Sequence, residues 1–379
     1  MKESKYRKNV EDMLALADIG INSPKGKQRP WDIKVHNENF YKRVLAEGSL
    51  ALGESYIDGW WDCEKLDEFF FHILRAELDK KIKPDLSLLL NFLRKKFFNP
   101  QKISKAFDVG KKHYDLGNDL FKIMLDKKMV YSCGYWKNAK TLDESQEVKF
   151  ELICKKIGLK KGDKVLEIGC GWGSFLKYVS EKYKVSGVGL TVSKEQAEFA
   201  RNLCKNLPVE ILLQDYRSEI NGASFDHIIS IGMFEHVGVK NYKKFMQIVH
   251  RNLKKDGLFL LHTIGGNKSR IKNDPWIEKY VFPRGMLPSI KQIGESVENL
   301  FVVEDWHNFG ADYDKTLMAW HDNFNKSWDK IKSNYDERFY RIWKYYLLSC
   351  AGSFRARKNQ LWQIVFSKNG VEGGYKSIR

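Results

Sequence analysis

Val165-Leu166-Glu167-Ile168-Gly169-Cys170-Gly171-Trp172-Gly173 is the stretch on which the fold turns. A short apolar run of strand character ends in three glycines at alternate positions, and a helical pattern near 173–183 follows. A strand that enters a tight glycine turn and leaves it as a helix is the first βα unit of a doubly wound sheet. Glycine suits the turn because it adopts positive φ and lets a ligand approach the backbone.

Outward from this turn the pattern repeats. Strands are expected at 164–168, 185–190, 210–213, 225–231 and 258–263, with helices near 173–183, 194–206 and 241–252 between them. Such alternation forms a parallel sheet covered on both faces. Segment 361–366 reads as a late strand that completes the sheet, after long helices near 311–332 and 336–357. Residues 143–157 read as a helix, and 113–119 as a turn leading into another. Ahead of residue 100, Leu66, Phe69, Phe70, Ile73 and Leu74 recur at helical spacing. So do Leu86, Leu89, Leu90, Leu93 and Phe97, flanked by Arg94, Lys95 and Lys96. The second stripe suits a core helix or a helix lying on anionic headgroups. The expected architecture is α/β: a small, mostly helical domain over 1–100 and a larger, doubly wound domain over 101–379.

The loop itself narrows the ligand. Dinucleotide sites use G-x-G-x-x-G and need open backbone N–H groups for a pyrophosphate. Here the spacing is G-x-G-x-G, and Glu167 precedes it. A carboxylate at the loop mouth repels a pyrophosphate but suits the ammonium of a methionine moiety. Glu167, Gly169, Gly171 and Gly173 therefore fit S-adenosylmethionine better than NAD. The loops after the next two strands, Gly189–Gln196 with Thr191 and Gln196, and Leu213–Arg217 with Asp215 and Tyr216, open on the same crevice. Asp215 is placed to accept from an adenine amino group, or is an ordinary turn residue.

The chain has 65 Lys and Arg against 48 Asp and Glu, a net charge of +17. A surplus of this size points to a polyanion, either nucleic acid or the anionic face of a bilayer, unless it serves solubility alone. Met1–Val10 is polar and charged, so no signal peptide is expected, and no run of eighteen apolar residues occurs. Six scattered cysteines without a CxxC pair argue against a zinc ribbon or a disulfide framework, and for a reducing cytoplasm. No metal site is expected.

HYDLGNDLF (113–121), YSCGYW (131–136), LEIGCGWG (166–173), LTVSKEQ (190–196), LLQDYR (212–217), GMFEHVG (232–238), FLLHTIG (259–265), DPWIEKYVFP (274–283), EDWHNFGADYDKTL (304–317) and FRARKNQLWQIVFS (354–367) succeed one another through nearly all of 107–367. In this order they resemble the cyclopropane-fatty-acyl-phospholipid synthase family. The N-terminal third resembles it less distinctively, but its presence sets the chain apart from the shorter mycolic-acid enzymes. The resemblance implies a Rossmann-like class I methyltransferase sheet. It also implies methylene transfer from S-adenosylmethionine to cis double bonds of phospholipid acyl chains. Most methyltransferases hold the ribose with an acidic residue after the second strand. Gly189-Leu190-Thr191 stands there instead. By resemblance the task passes to Gln196, with Tyr131 and Ser132 as further cofactor contacts.

The implied chemistry is attack of an alkene on a sulfonium methyl group, then proton loss from the new methyl group of a carbocation. It needs a dry site, stabilisation of a cation and one base. By resemblance the base is a bound bicarbonate held by Cys133 (largely its backbone), Glu235, His262, the Ile264 backbone and Tyr313. Cys350 is a rival candidate; the mechanism requires no covalent enzyme intermediate, so it reads as a core thiol. The resemblance further implies a homodimer. A lipid substrate, the +17 charge and the lack of a spanning run together lead to the expectation of a cytoplasmic protein peripheral on the inner membrane face, acting on phospholipid in an anionic surface. Nucleic acid is not an expected partner, because the chain has no Asp/Asn-Pro-Pro-aromatic motif and no RNA-module signature. A lipid or small-molecule C- or N-methyltransferase on the same scaffold is the alternative, and a non-catalytic lipid-binding protein would not need a complete cofactor crevice.

Overall fold

The computed structural model describes residues 2–78, 117–220 and 224–379. Two compact units emerge. One takes Met1–Pro100, Asp274–Val281 and Lys332–Lys358; the other takes Gln101–Asn273, Phe282–Ile331 and Asn359–Arg379. The chain thus returns twice to its first unit, which a single boundary after residue 100 does not anticipate.

The first unit opens with α1 (Lys2–Ala15), β1 (Ile33–Val35), α2 (Asn39–Glu47), α3 (Ser49–Ile57), β2 (Trp61–Cys63) and α4 (Leu66–Arg75). β1 and β2 pair antiparallel, Ile33 opposite Cys63. On α4 the expected stripe is buried at Leu66, Phe69 and Phe70, while Ile73 and Leu74 are half-buried. The stripe expected from Leu86 to Phe97, with Arg94, Lys95 and Lys96, lies outside the described residues.

The second unit begins with α5 (Asn118–Met124) and α6 (Leu142–Ile157). It continues as β3 (Lys164–Ile168), α7 (Ser174–Tyr183), β4 (Ser186–Thr191), α8 (Lys194–Leu203), β5 (Val209–Leu213), β6 (Phe225–Ile231), α9 (Tyr242–Asn252) and β7 (Leu253–Gly266). α10 (Pro275–Tyr280) belongs to the first unit. α11 (Ile290–Val297), β8 (Val302–Asn308) and α12 (Ala311–Ser327) follow in the second. α13 (Glu337–Arg355) returns to the first, and β9 (Asn359–Ser367) closes the sheet order β5-β4-β3-β6-β7-β9-β8. The first five strands of that order run parallel, and β9 is antiparallel to both neighbours.

Period-two alternation builds both cores. Leu166, Ile168, Ile228, Phe259, Leu261 and Phe366 pack on one face with Phe245 and Ile293. Val165, Ile229, Leu260 and Val365 pack on the other with Ile153, Leu176 and Ala200. The expected α/β doubly wound sheet is therefore present, with two differences. β9 does not end the sheet but lies between β7 and β8. β8 itself was not expected, because its apolar pattern is inverted: Val302 and Val303 are exposed, while Asp305 and His307 are buried. Asp305 accepts from Arg379 Nη1 at 2.6 Å and from Ser377 Oγ at 2.9 Å, and His307 Nδ1 lies 3.1 Å from Lys156 Nζ. Polar partners replace the apolar ones that a hydrophobic pattern would reveal.

Close approach explains why later segments join the first unit. Trp276 of α10 packs against Gly53 and lies 4.4 Å, ring to ring, from Tyr345 of α13. On α13, a Cβ at Gly352 would fall 2.5 Å from Asp67 O and 2.6 Å from Phe70 Cβ. Arg355 one turn on bonds Asp67 at 2.7 Å and Glu68 at 2.6 Å. In an open helix Gly→Ala adds about 1 kcal/mol of stability. At Gly352 the sign should reverse, and Gly352→Ala should destabilise by about 1–3 kcal/mol through overpacking. Urea unfolding measures this; a stabilised variant would contradict the close approach of α4 and α13.

Candidate active-site crevice

The strand order reverses between β3 and β6, and ligands of doubly wound sheets bind at the carboxyl ends of strands beside that switch. The glycine turn after β3 sits there. Gly169, Gly171 and Gly173 all have positive φ, at 85°, 52° and 82°. Two of them are also packing positions: a Cβ at Gly169 would lie 2.6 Å from Met233 Cβ, and one at Gly173 2.9 Å from Ala200 Cβ. A Cβ at Gly171 would meet no protein atom within 4 Å. The middle glycine therefore faces open space, as a ligand-approach position should.

Glu167, just before the turn, is 3% exposed, and its Oε2 has no hydrogen-bond partner. Burial holds its pKa well above the ordinary range, opposed by the charge of Lys149. Lys149 on α6 is fully buried and donates to Ser132 Oγ at 2.7 Å. Burial lowers its pKa to about 8, against the pull of Asp126, Cys133 and Glu167. One turn earlier, Gln146 Nε2 donates to Ser132 O at 2.8 Å. Sequence reasoning missed both α6 residues. The signal was present: the stripe Ile157, Ile153 and Phe150 extends backwards onto Gln146 and Lys149, so these polar residues had to be buried.

Across the next loop Thr191 Oγ1 donates to Gln196 Oε1 at 3.0 Å, which leaves the Gln196 amide nitrogen as its donor end. Ser193 caps α8 by accepting from Gln196 N. Asp215 is placed differently from a lone adenine acceptor. Arg217 Nε bonds its Oδ1 and Arg217 Nη2 its Oδ2, both at 2.7 Å. Tyr216 turns its ring into the core, 5.2 Å from Phe245.

The segment Tyr131–Trp136 forms another wall. It is gripped by α6 on one side and by α12 on the other, where Tyr313, Thr316 and Trp320 share a buried face. Thr316 Oγ1 accepts from Gly134 N at 3.1 Å and Trp136 Nε1 at 2.9 Å. Cys133 is fully buried, and burial drives its thiol pKa well above the ordinary value, so it is no nucleophile. Rings continue the wall: Trp172 to Phe121 at 5.0 Å, Phe121 to Tyr131 at 5.2 Å, Tyr131 to Trp320 at 5.1 Å, and Trp320 to Tyr313 at 5.9 Å. Aromatic faces of this kind attract a cation.

Glu235 lies in the short helical turn Phe234–His236 after β6, and His262 on β7. Gly232 N donates to His262 O at 2.9 Å, which ties the two strand ends together. Glu235 Oε1 accepts from Ile264 N at 2.7 Å; Oε2 is buried without a partner. Burial raises this carboxyl to about 7. The Ile264 N–H assigned by resemblance to a small anion is thus given to Glu235. His262 is 1% exposed, and burial holds its pKa well below the usual value, so the ring is neutral. Gln363 Nε2 lies 3.3 Å from its Nδ1. With that amide donating, the ring proton sits on Nε2, which is buried and unpartnered. A carboxyl oxygen and an imidazole N–H, both dry and unpaired, suit a small oxygen-rich ligand that can donate and accept. Cys350 belongs to α13 of the first unit; burial pushes its thiol up to about 12, so it is not a thiolate.

Residues 101–364 match the family described as mycolic acid cyclopropane synthetase. Cyclopropane-fatty-acyl-phospholipid synthase of Escherichia coli (strain K12) is 53% identical over 370 residues, 98% of this chain and 95% of that one. Cyclopropane mycolic acid synthase 1 of Mycobacterium tuberculosis is 34% identical over 68% of this chain and 95% of its own. A crystal structure of mycolic acid cyclopropane synthase CmaA1 complexed with SAH and CTAB covers 69% of this chain and 98% of its own. It aligns at 34% identity and a TM-score of 0.65.

Two measurements test the crevice. Gly171→Val should weaken S-adenosylmethionine binding by at least about tenfold, beyond the roughly 1–2 kcal/mol of backbone strain in stability. Calorimetry showing unchanged affinity would contradict the placement. For Glu235, a folded pKa near 7 above an ordinary 4.5 means that stability is full below pH 4.5 and lost as pH rises through 7. Glu235→Gln removes that loss. Without ligand it should be more stable than the parent at pH 8, by up to roughly 3 kcal/mol, and the gap should close near pH 4 to 5. Urea unfolding at both pH values reads this, and an equal gap at both would mean that Oε2 is not desolvated.

Proposed function

The chain belongs to the mycolic acid cyclopropane synthetase family, and from that membership we propose that it converts cis double bonds of membrane phospholipid acyl chains into cyclopropane rings. One observation carries the choice of substrate: 53% identity to a phospholipid synthase across 98% of the chain, the first unit included. The chain is an S-adenosylmethionine-dependent methyltransferase, and that co-substrate supplies an electrophilic methyl group. Glu167 faces its ammonium, Gly171 clears room for it, and Gln196 and Ser132 fix the rest.

The acyl double bond is a weak nucleophile, so the residues must do two things. They exclude water from the carbocation that follows attack, and they lead away one proton of the new methyl group. Tyr131, Trp320 and Tyr313 supply the aromatic faces for the cation. Glu235 and His262 supply the polar end, and both are too deeply buried to serve water. Their unpaired atoms fit bicarbonate, which would be the base when bound; Glu235 Oε2 would accept from it, and His262 Nε2 and Tyr313 would donate to it. We assign the small first unit to lipid engagement. Among the described residues no helix is long and apolar enough to cross a membrane. Net charge of +17 supports peripheral attachment to an anionic inner leaflet by a cytoplasmic homodimer.

Methyl-labelled S-adenosylmethionine should label unsaturated phospholipid vesicles and not saturated ones. Turnover should fall about tenfold or more in carbonate-stripped buffer and recover on adding bicarbonate. Glu235→Gln should lose both turnover and that response. Full activity with no dissolved carbonate would make a protein side chain the base.

A further inference from the structure

β7 ends at Gly266, two residues beyond Ile264, at the crevice end of the sheet. The next six residues, Asn267-Lys268-Ser269-Arg270-Ile271-Lys272, are all exposed. They are nevertheless held in place. Gly266 N donates to Pro288 O at 2.8 Å, the hydroxyls of Ser269 and Ser289 are 2.7 Å apart, and Gln292 Nε2 donates to Arg270 O at 2.9 Å. These bonds set the segment beside the start of α11, where Ile290 and Lys291 are also exposed.

Ile271 is 67% exposed and Ile290 58%, the two highest values for large apolar side chains among the described residues. Beside them in sequence are Lys268, Arg270, Lys272 and Lys291, all exposed, and Arg284, half-buried. Residues 265–273 and 282–291 contain five basic side chains and no Asp or Glu. The counter-charge on Lys291 is Glu295, 3.7 Å away with both side chains largely exposed, a pair of little strength. Exposed isoleucines flanked by exposed basic side chains are poorly suited to water and well suited to an anionic lipid surface. Lysine and arginine pair with headgroups there while the apolar tips enter the acyl boundary.

We infer that the segment 267–272 and the start of α11, through Ile271, Ile290 and the exposed basic side chains that flank them, seat the catalytic unit on an anionic bilayer. This rests on the membrane reading above and gives it a site. It places the lipid surface at the end of the strand that carries His262, so an acyl chain leaving the bilayer meets the crevice without crossing bulk water.

The test uses the full chain and vesicles of phosphatidylglycerol with phosphatidylcholine. The parent protein should co-sediment with them at low salt and less at high salt. Lys268→Gln, Arg270→Gln and Lys272→Gln together should weaken binding about tenfold. Turnover on detergent-dispersed lipid and the melting temperature should be unchanged. The emission of Ile271→Trp should shift to the blue on anionic vesicles. Parent protein that ignores anionic vesicles would overturn the membrane reading and this site with it. Parent protein that binds, with a triple variant that binds equally and an introduced tryptophan that stays water-exposed, would overturn this site alone. A blue shift that grows with protein concentration in the absence of lipid would assign the patch to self-association and equally overturn it.

Discussion

Glu235 gives one oxygen to the Ile264 N–H and keeps the other, 7% exposed as a residue, without a partner. An unpaired polar atom in a dry crevice is costly, and the rest of the site is arranged around that cost. Desolvation moves Glu235 up to about 7, holds His262 neutral and lowers Lys149 to about 8. On the proposed mechanism the same absence of water would protect the carbocation, and hydrating the crevice would relax every one of these groups.

A crevice of this kind persists only if its walls cannot collapse. Apolar cores on both sheet faces fix β3, β6 and β7, and the backbone bond between Gly232 and His262 holds the last two in register. The Tyr131–Trp136 wall lies outside any helix or strand, and side-chain hydrogen bonds add to its ring packing: Gln146 and Lys149 from α6, Thr316 from α12. Polar anchors inside a protein are specific in direction, which suits a wall that must place Ser132 and Cys133 rather than merely fill space.

Much of this was legible in the sequence where burial is apolar. Val165 to Gly173 marked the first βα unit, and the alternating strands after it marked the sheet. The pattern failed where burial is polar. β8 hides Asp305 and His307 and exposes Val302 and Val303, so hydrophobic periodicity pointed the wrong way. Lys149 and Gln146 escaped notice for the same reason. The return of α10 and α13 to the first unit depends on close contacts at Gly53 and Gly352, which no local pattern records. For the site, Glu235 and His262 were named by motif resemblance, but only coordinates show that each has an orphaned atom, and that Arg217 holds Asp215.

The central claim is that this dry, carboxyl- and imidazole-bearing crevice removes a proton and closes a ring, rather than stopping at a methyl branch. NMR of lipid recovered after reaction of ¹³C-methyl S-adenosylmethionine with cis-unsaturated phospholipid tests it most directly. The predicted result places the label in a high-field methylene carbon bearing two inequivalent geminal ring protons. Label found in a branched methyl or an exocyclic methylene group would contradict it.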